Sequence, residues 1–110
     1  MKNYYSSDLE PLFEKINFQG RQVVDVGCGN ADKARILVKS GATVIGIEPD
    51  LESWQVGEIE SDGFKLIRGG AEEMAVENEY ADIVIFMFSL HHVPEQLMPK
   101  ALSEARRIVK

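Results

Sequence analysis

The stretch VVDVGCGNADKARIL, Val23 to Leu37, constrains this chain more than any other. A short apolar run ends on two glycines one residue apart, and a helix-forming run follows at once. Glycine in a strand-to-helix turn allows a tight bend and lets a ligand approach with no Cβ in the way. The helix then offers its first N–H groups, which have no partner inside the helix, to whatever occupies the turn. Such a unit reads as strand, loop and helix, with a turn that a ligand can approach at the strand's carboxyl end.

The rest of the sequence repeats this alternation. Leu9, Leu12, Phe13 and Ile16 stand at helical spacing, with Asp8 as the cap and Pro11 in the first turn. Asn17 to Gly20 reads as a turn and Gln22 to Val26 as the first strand. Ala31 to Ser40 is a helix turning Ala34, Leu37 and Val38 inward, closed by Gly41. Thr43 to Ile47, rich in β-branched residues, is the second strand. Leu51 to Ile59 is a helix with Leu51 and Trp54 on one side, and Asp62-Gly63 is a turn. Phe64 to Arg68 is the third strand, and Glu72 to Glu79 an acidic connection. The run ADIVIFMF, Ala81 to Phe88, has the continuous apolar character of a strand covered on both faces. A last helix follows Pro94, with Pro99 in its first turn and Ala101, Leu102, Ala105 and Ile108 buried.

Strands alternating with helices predict an α/β fold: a Rossmann-like, doubly wound parallel sheet between two helical layers. The 110 residues make one domain, with an N-terminal helical segment over 1–20 and the core over 21–110. In such sheets ligands sit at the carboxyl ends of the strands.

Composition narrows the function. The net charge of −6, with basic residues scattered, argues against a nucleic-acid partner. Arg106, Arg107 and Lys110 read as a solvated helix end beside the negative pole of its dipole. Cys28, the only cysteine, cannot form an internal disulfide. Residues 1–8 hold no apolar signal-peptide core, and no run approaches a membrane span of about 20 residues. The expectation is a cytoplasmic protein with no membrane partner.

Asp25 lies near the end of the first strand, and Glu48 ends the second, 21 residues past Gly27. An acid there can accept two hydrogen bonds from ribose hydroxyls. A nicotinamide dinucleotide site competes with this reading. Its G-x-G-x-x-G fingerprint needs glycine at 32 if it starts at Gly27, and position 32 is Asp.

DVGCGNA resembles the D-x-G-x-G-x-G first motif of the class I S-adenosylmethionine-dependent methyltransferases. GIEPD, Gly46 to Asp50, resembles their second motif. Arg68 to Glu95 is similar to the third and fourth motifs of the small-molecule type that carries G-D-A-E and L-H-H. The resemblance implies S-adenosylmethionine as cofactor, S-adenosylhomocysteine as product and a small-molecule methyl acceptor. It implies that Gly27, Cys28 and Gly29 line the methionine moiety and that Asp25 holds that loop and the ammonium group. Glu48 would bind the ribose and Pro49 pack on the adenine. Ala71 would offer an N–H to the base, with Glu72 beside it, and Phe88 would contribute from the fourth strand. The family's strand order implies 3-2-1-4 for the four strands present, which leaves the fourth as an apolar edge, a template for a homodimer.

Two positions depart from the pattern. Ala31 replaces the third glycine of the first motif. Gly70 replaces the acid that usually contacts the adenine amino group, so the resemblance implies that Gly70→Asp tightens binding a few-fold. His91 and His92 are candidates for a general base, or for loop residues that shape the pocket. Adjacent histidines with no third ligand make no zinc site. The functional alternatives are a methyltransferase and a non-catalytic cofactor-binding or partner module.

Overall fold

The computed structural model describes residues 15–27, 32–49, 60–61, 63–86 and 93–110. Strand β1 spans Gln22–Val26, helix α1 Asp32–Lys39 and strand β2 Thr43–Glu48. Strand β3 is the pair Glu60–Ser61, β4 is Phe64–Arg68 and β5 is Ile83–Ile85. A 3-10 turn over Glu95–Leu97 leads into helix α2, Met98–Ile108.

The sheet runs β3-β4-β2-β1-β5, and its four longer strands are parallel. In the count used for the sequence, those four stand in the expected order 3-2-1-4. Strand alternation sends successive residues to opposite faces. Val23, Val44, Phe64, Leu66 and Ile85 pack with Ala34 and Leu37 of α1. Val24, Val26 and Ile47 pack with Ala101 and Ile108 of α2. Both faces of the sheet are therefore covered, which is why β1, β2 and β5 carry apolar residues on both sides.

Three expectations need correction. Of the run Ala81–Phe88, only Ile83–Ile85 forms the ladder with β1; Phe86 packs against the cluster on the α2 face, and 87–88 lie outside the described residues. A continuous apolar run reports burial, and burial continues past the last ladder pair. Leu102 is 51% exposed rather than buried, because the inward stripe of α2 runs through Ala101 and Ile108 and Leu102 lies to one side of it. The edge at β5 is not bare along its whole length: Val109 pairs in parallel with Ala81, which donates to the Ile108 carbonyl at 2.8 Å and accepts from the Lys110 N–H at 2.9 Å.

β3, which the sequence reading omits, pairs antiparallel with the start of β4, Ser61 opposite Phe64. Gly63 holds φ +80 in the connection, a conformation glycine adopts without strain. The expected helices over Leu9–Ile16 and Leu51–Ile59, with Trp54, lie outside the described residues apart from Lys15, which is helical, and Ile16, which packs on the α1-side cluster beside buried Phe18.

Asp82, just before β5, ties strand starts together. Its carboxylate accepts the Gln22 N–H at 2.8 Å and pairs with Lys110 at 3.2 Å. The hydrogen bond from Gln22, with Lys110 adding to it, holds the Asp82 carboxyl below its usual range. A depressed folded-state pKa gives stability that is present above the unfolded value and lost as pH falls through the folded one. The stability difference between the wild type and Asp82→Asn should therefore shrink as the pH falls below about 5, as read from urea midpoints. A difference that grows on acidification would contradict this.

Candidate cofactor site

The site is built where β1, β2 and β4 end. Asp25 lies in the interior, 1% exposed, at the penultimate position of β1. It is paired with Gly46 of β2 and Ile85 of β5. Alternation puts Asp25 and Glu48 on the α1 face of the sheet.

Backbone bonds lace the strand ends into one rim. Gly27, φ +73, leaves β1 and donates its N–H to Ile47 O at 2.7 Å. An L side chain at that φ is strained, which accounts for glycine as the first residue of the turn. One residue further along β2, Glu48 is half-buried and pairs with Arg68 of β4, and its carbonyl accepts the Gly69 N–H at 3.2 Å. The first glycine of the turn, the acid that ends β2 and the segment after β4 are thus consecutive along one edge. Pro49 is exposed and Ala71 is buried.

Glu72 is half-buried, and its carboxylate lies over the Cα of Gly70. A Cβ built on Gly70 would meet both carboxylate oxygens, with the Glu72 Cδ at 2.8 Å. The acid two residues on therefore fills the space of the missing side chain. Gly70 is not among the positive-φ glycines, so other residues suit its backbone. This revises the expected effect of Gly70→Asp. An aspartate there would have to displace a flexible carboxylate and sit next to it, and two like charges about 4 Å apart cost about 1 kcal/mol even in water. The single variant should bind S-adenosylhomocysteine no more tightly than wild type, whereas Gly70→Asp with Glu72→Ala should tighten binding a few-fold. Titration calorimetry on both variants checks this, and a tighter single variant would contradict it.

Of the other positions singled out in the sequence, Cys28, Gly29, Phe88, His91 and His92 lie outside the described residues. Among the described residues no three His, Cys, Asp or Glu side chains form a group able to hold a metal, and no helix is long and apolar enough to cross a membrane.

Sequence reasoning missed the support beneath the rim. Arg107 is not a solvated helix end: its side chain is one-third exposed and binds Glu104 at 2.6 Å. It also donates to the carbonyls of Met74 and Val76, each at 2.8 Å. The contacts with Met74 and Val76 are long-range, so no local pattern announces them.

Residues 24–110 match the model of the methyltransferase domain family. The chain belongs to this family, the class I S-adenosylmethionine-dependent methyltransferases. It is 37% identical over 100 residues to a ubiquinone biosynthesis O-methyltransferase of Aliivibrio fischeri, covering 86% of this chain and 40% of that protein. A protein of the same description from Pseudomonas fluorescens is 36% identical over 98 residues, covering 80% of this chain and 42% of the relative. The chain therefore spans about two-fifths of the length of these relatives. Among solved structures, an S-adenosylmethionine-dependent methyltransferase of Thermotoga maritima superposes with a TM-score of 0.75 at 24% identity, over 96% of this chain and 46% of that one. A protein of Pyrococcus horikoshii does so with 0.79 at 25%, over 96% and 51%. Both likenesses bear on the fold.

Proposed function

We propose that this chain binds S-adenosylmethionine at the rim formed by β1, β2 and β4 and serves methyl transfer to a small-molecule acceptor. The observation that carries the reading is the lacing of Gly27 and Glu48 along one edge, in a chain of the methyltransferase domain family. The donor set suits the cofactor. Gly27 takes the methionine moiety, a role the resemblance also gives Cys28 and Gly29, which lie outside the described residues. Asp25 supplies negative charge for an ammonium group. Glu48 accepts hydrogen bonds from the two ribose hydroxyls. Pro49, Ala71 and Glu72 flank the base, and the resemblance adds Phe88, which lies outside the described residues.

Bound there, the cofactor supplies an electrophilic methyl group on a sulfonium. The protein's part is to hold donor and acceptor in line and to exclude water. A base is required only for acceptors that lose a proton, and His91 and His92 are the candidates for that role. The curated relatives named above methylate oxygen in ubiquinone biosynthesis by description, which makes a small hydroxylated acceptor the first class to try. Methyl transfer from labelled S-adenosylmethionine to a panel of small phenols, amines and carboxylates is the test. Turnover on any of them supports the enzyme, while tight cofactor binding with no turnover favours the alternative, a non-catalytic cofactor-binding module.

The reading also includes one domain over residues 1–110, in the cytoplasm, and a homodimer through the outer edge of β5. Among the described residues, no strand pairs with Ile83–Ile85 on the side away from β1. A second copy would satisfy that edge, with Val109 and Lys110 already fixing its start at Ala81. Sedimentation velocity should then show a concentration-dependent monomer–dimer equilibrium. A monomer at every concentration would remove the dimer from the account and leave the cofactor site untouched.

A further inference from the structure

The eleven residues from Gly70 through Tyr80 contain no helix and no strand, yet Ala71, Met74 and Val76 are buried. Irregular backbone that carries buried side chains needs its polar groups satisfied from elsewhere. Here α2 satisfies several of them, beside the Val76 N–H bond to Met74 O within the segment. The Glu104 carboxylate accepts the Met74 N–H at 3.3 Å. The Arg107 guanidinium donates to Met74 O and Val76 O at 2.8 Å and to Asn78 Oδ1 at 2.7 Å. Its Nε and Nη2 also bind the same Glu104 carboxylate, at 3.1 and 2.6 Å. The Arg107 carbonyl takes the Glu79 N–H at 3.0 Å. A single side chain thus holds three oxygen atoms of the segment and fixes the carboxylate that holds its N–H.

We infer that Arg107 is a positioning residue for the nucleobase end of the cofactor site, an inference that rests on the site proposed above. The clamp acts on Met74, two residues after Glu72, and the rim begins at Gly69, bonded to Glu48. Residues 70–72 are therefore held from both sides: by β2 through Gly69 and by α2 through Met74. If the second anchor is released, the rim keeps its sequence but loses the fixed placement of the Ala71 N–H and the Glu72 carboxylate. Lysine cannot replace the fork, because one ammonium cannot reach the carboxylate and three separate oxygens in a plane.

The test is titration calorimetry of the full chain with two ligands, S-adenosylhomocysteine and adenosine, at a temperature where circular dichroism shows each variant folded. Arg107→Ala should weaken both ligands by the same factor, about tenfold, because the lost placement concerns the part they share. Arg107→Lys should fall between that and wild type. Val44→Ala serves as the control: it removes buried volume at the far end of β2, in the other cluster, lowers thermal stability and should bind like wild type. Should Arg107→Ala not fold, Arg107→Lys and Glu104→Gln carry the test, each with a smaller loss shared by both ligands. Wild-type affinity in a folded Arg107 variant overturns the inference. So does a loss confined to S-adenosylhomocysteine, or an equal loss in Val44→Ala. A wild-type chain that binds neither ligand overturns the reading of the site itself, which is a different result.

Discussion

Replacing Glu48 by alanine should weaken S-adenosylhomocysteine binding by about 1.5–3 kcal/mol, a loss of about 10- to 150-fold in affinity. The carboxylate ends β2 next to the Gly27 turn, on the face shared with Asp25. An ionised acceptor there can take both hydroxyls of a ribose, and hydrogen bonds to charged groups are the costly ones to lose. The fold should be unaffected, because the side chain is only half-buried and the contact that joins β2 to the segment after β4 is made by its backbone carbonyl. Unchanged affinity in a folded variant would remove Glu48 from the site.

The second large effect concerns stability. Leu37 on α1 is 1% exposed and packs with Val23, Val44 and Phe64. Leu37→Ala should cost about 2–5 kcal/mol, the usual range for a buried leucine that leaves a cavity. For a domain near this size that lowers the melting temperature by about 10–20 °C. A loss below about 1 kcal/mol would mean that α1 packs loosely on the sheet. Ligand affinity at low temperature should survive the change, since α1 reaches the site through its other end.

Most of the framework was legible in the sequence because each piece had a local cause. Phe64–Arg68 follows an Asp-Gly pair that reads as a turn, and the observed strand has those bounds. The order of the parallel strands came from the family resemblance, and the register then put Asp25 and Glu48 on neighbouring strands. What escaped was non-local. β3 is two polar residues long, too short for any periodicity, and exists only because it closes a hairpin on β4. The bridge between Ala81 and Val109 joins residues that carry no mutual signal in the chain. Glu72 over Gly70 depends on how an irregular loop folds back on itself. Arg107 has the composition of an ordinary helix end, and only the approach of Met74, Val76 and Asn78 gives it a role. Ala101 and Ile108 were placed correctly by helical spacing, whereas Leu102 shows that spacing alone does not set the width of the buried stripe.

The central claim is that the laced ends of β1, β2 and β4 hold the nucleoside of S-adenosylmethionine. Titration calorimetry of the whole chain against S-adenosylhomocysteine and, separately, against NADH tests it most directly. The account predicts saturable one-to-one binding of S-adenosylhomocysteine and no heat of binding with NADH. Binding of NADH without binding of S-adenosylhomocysteine would contradict it.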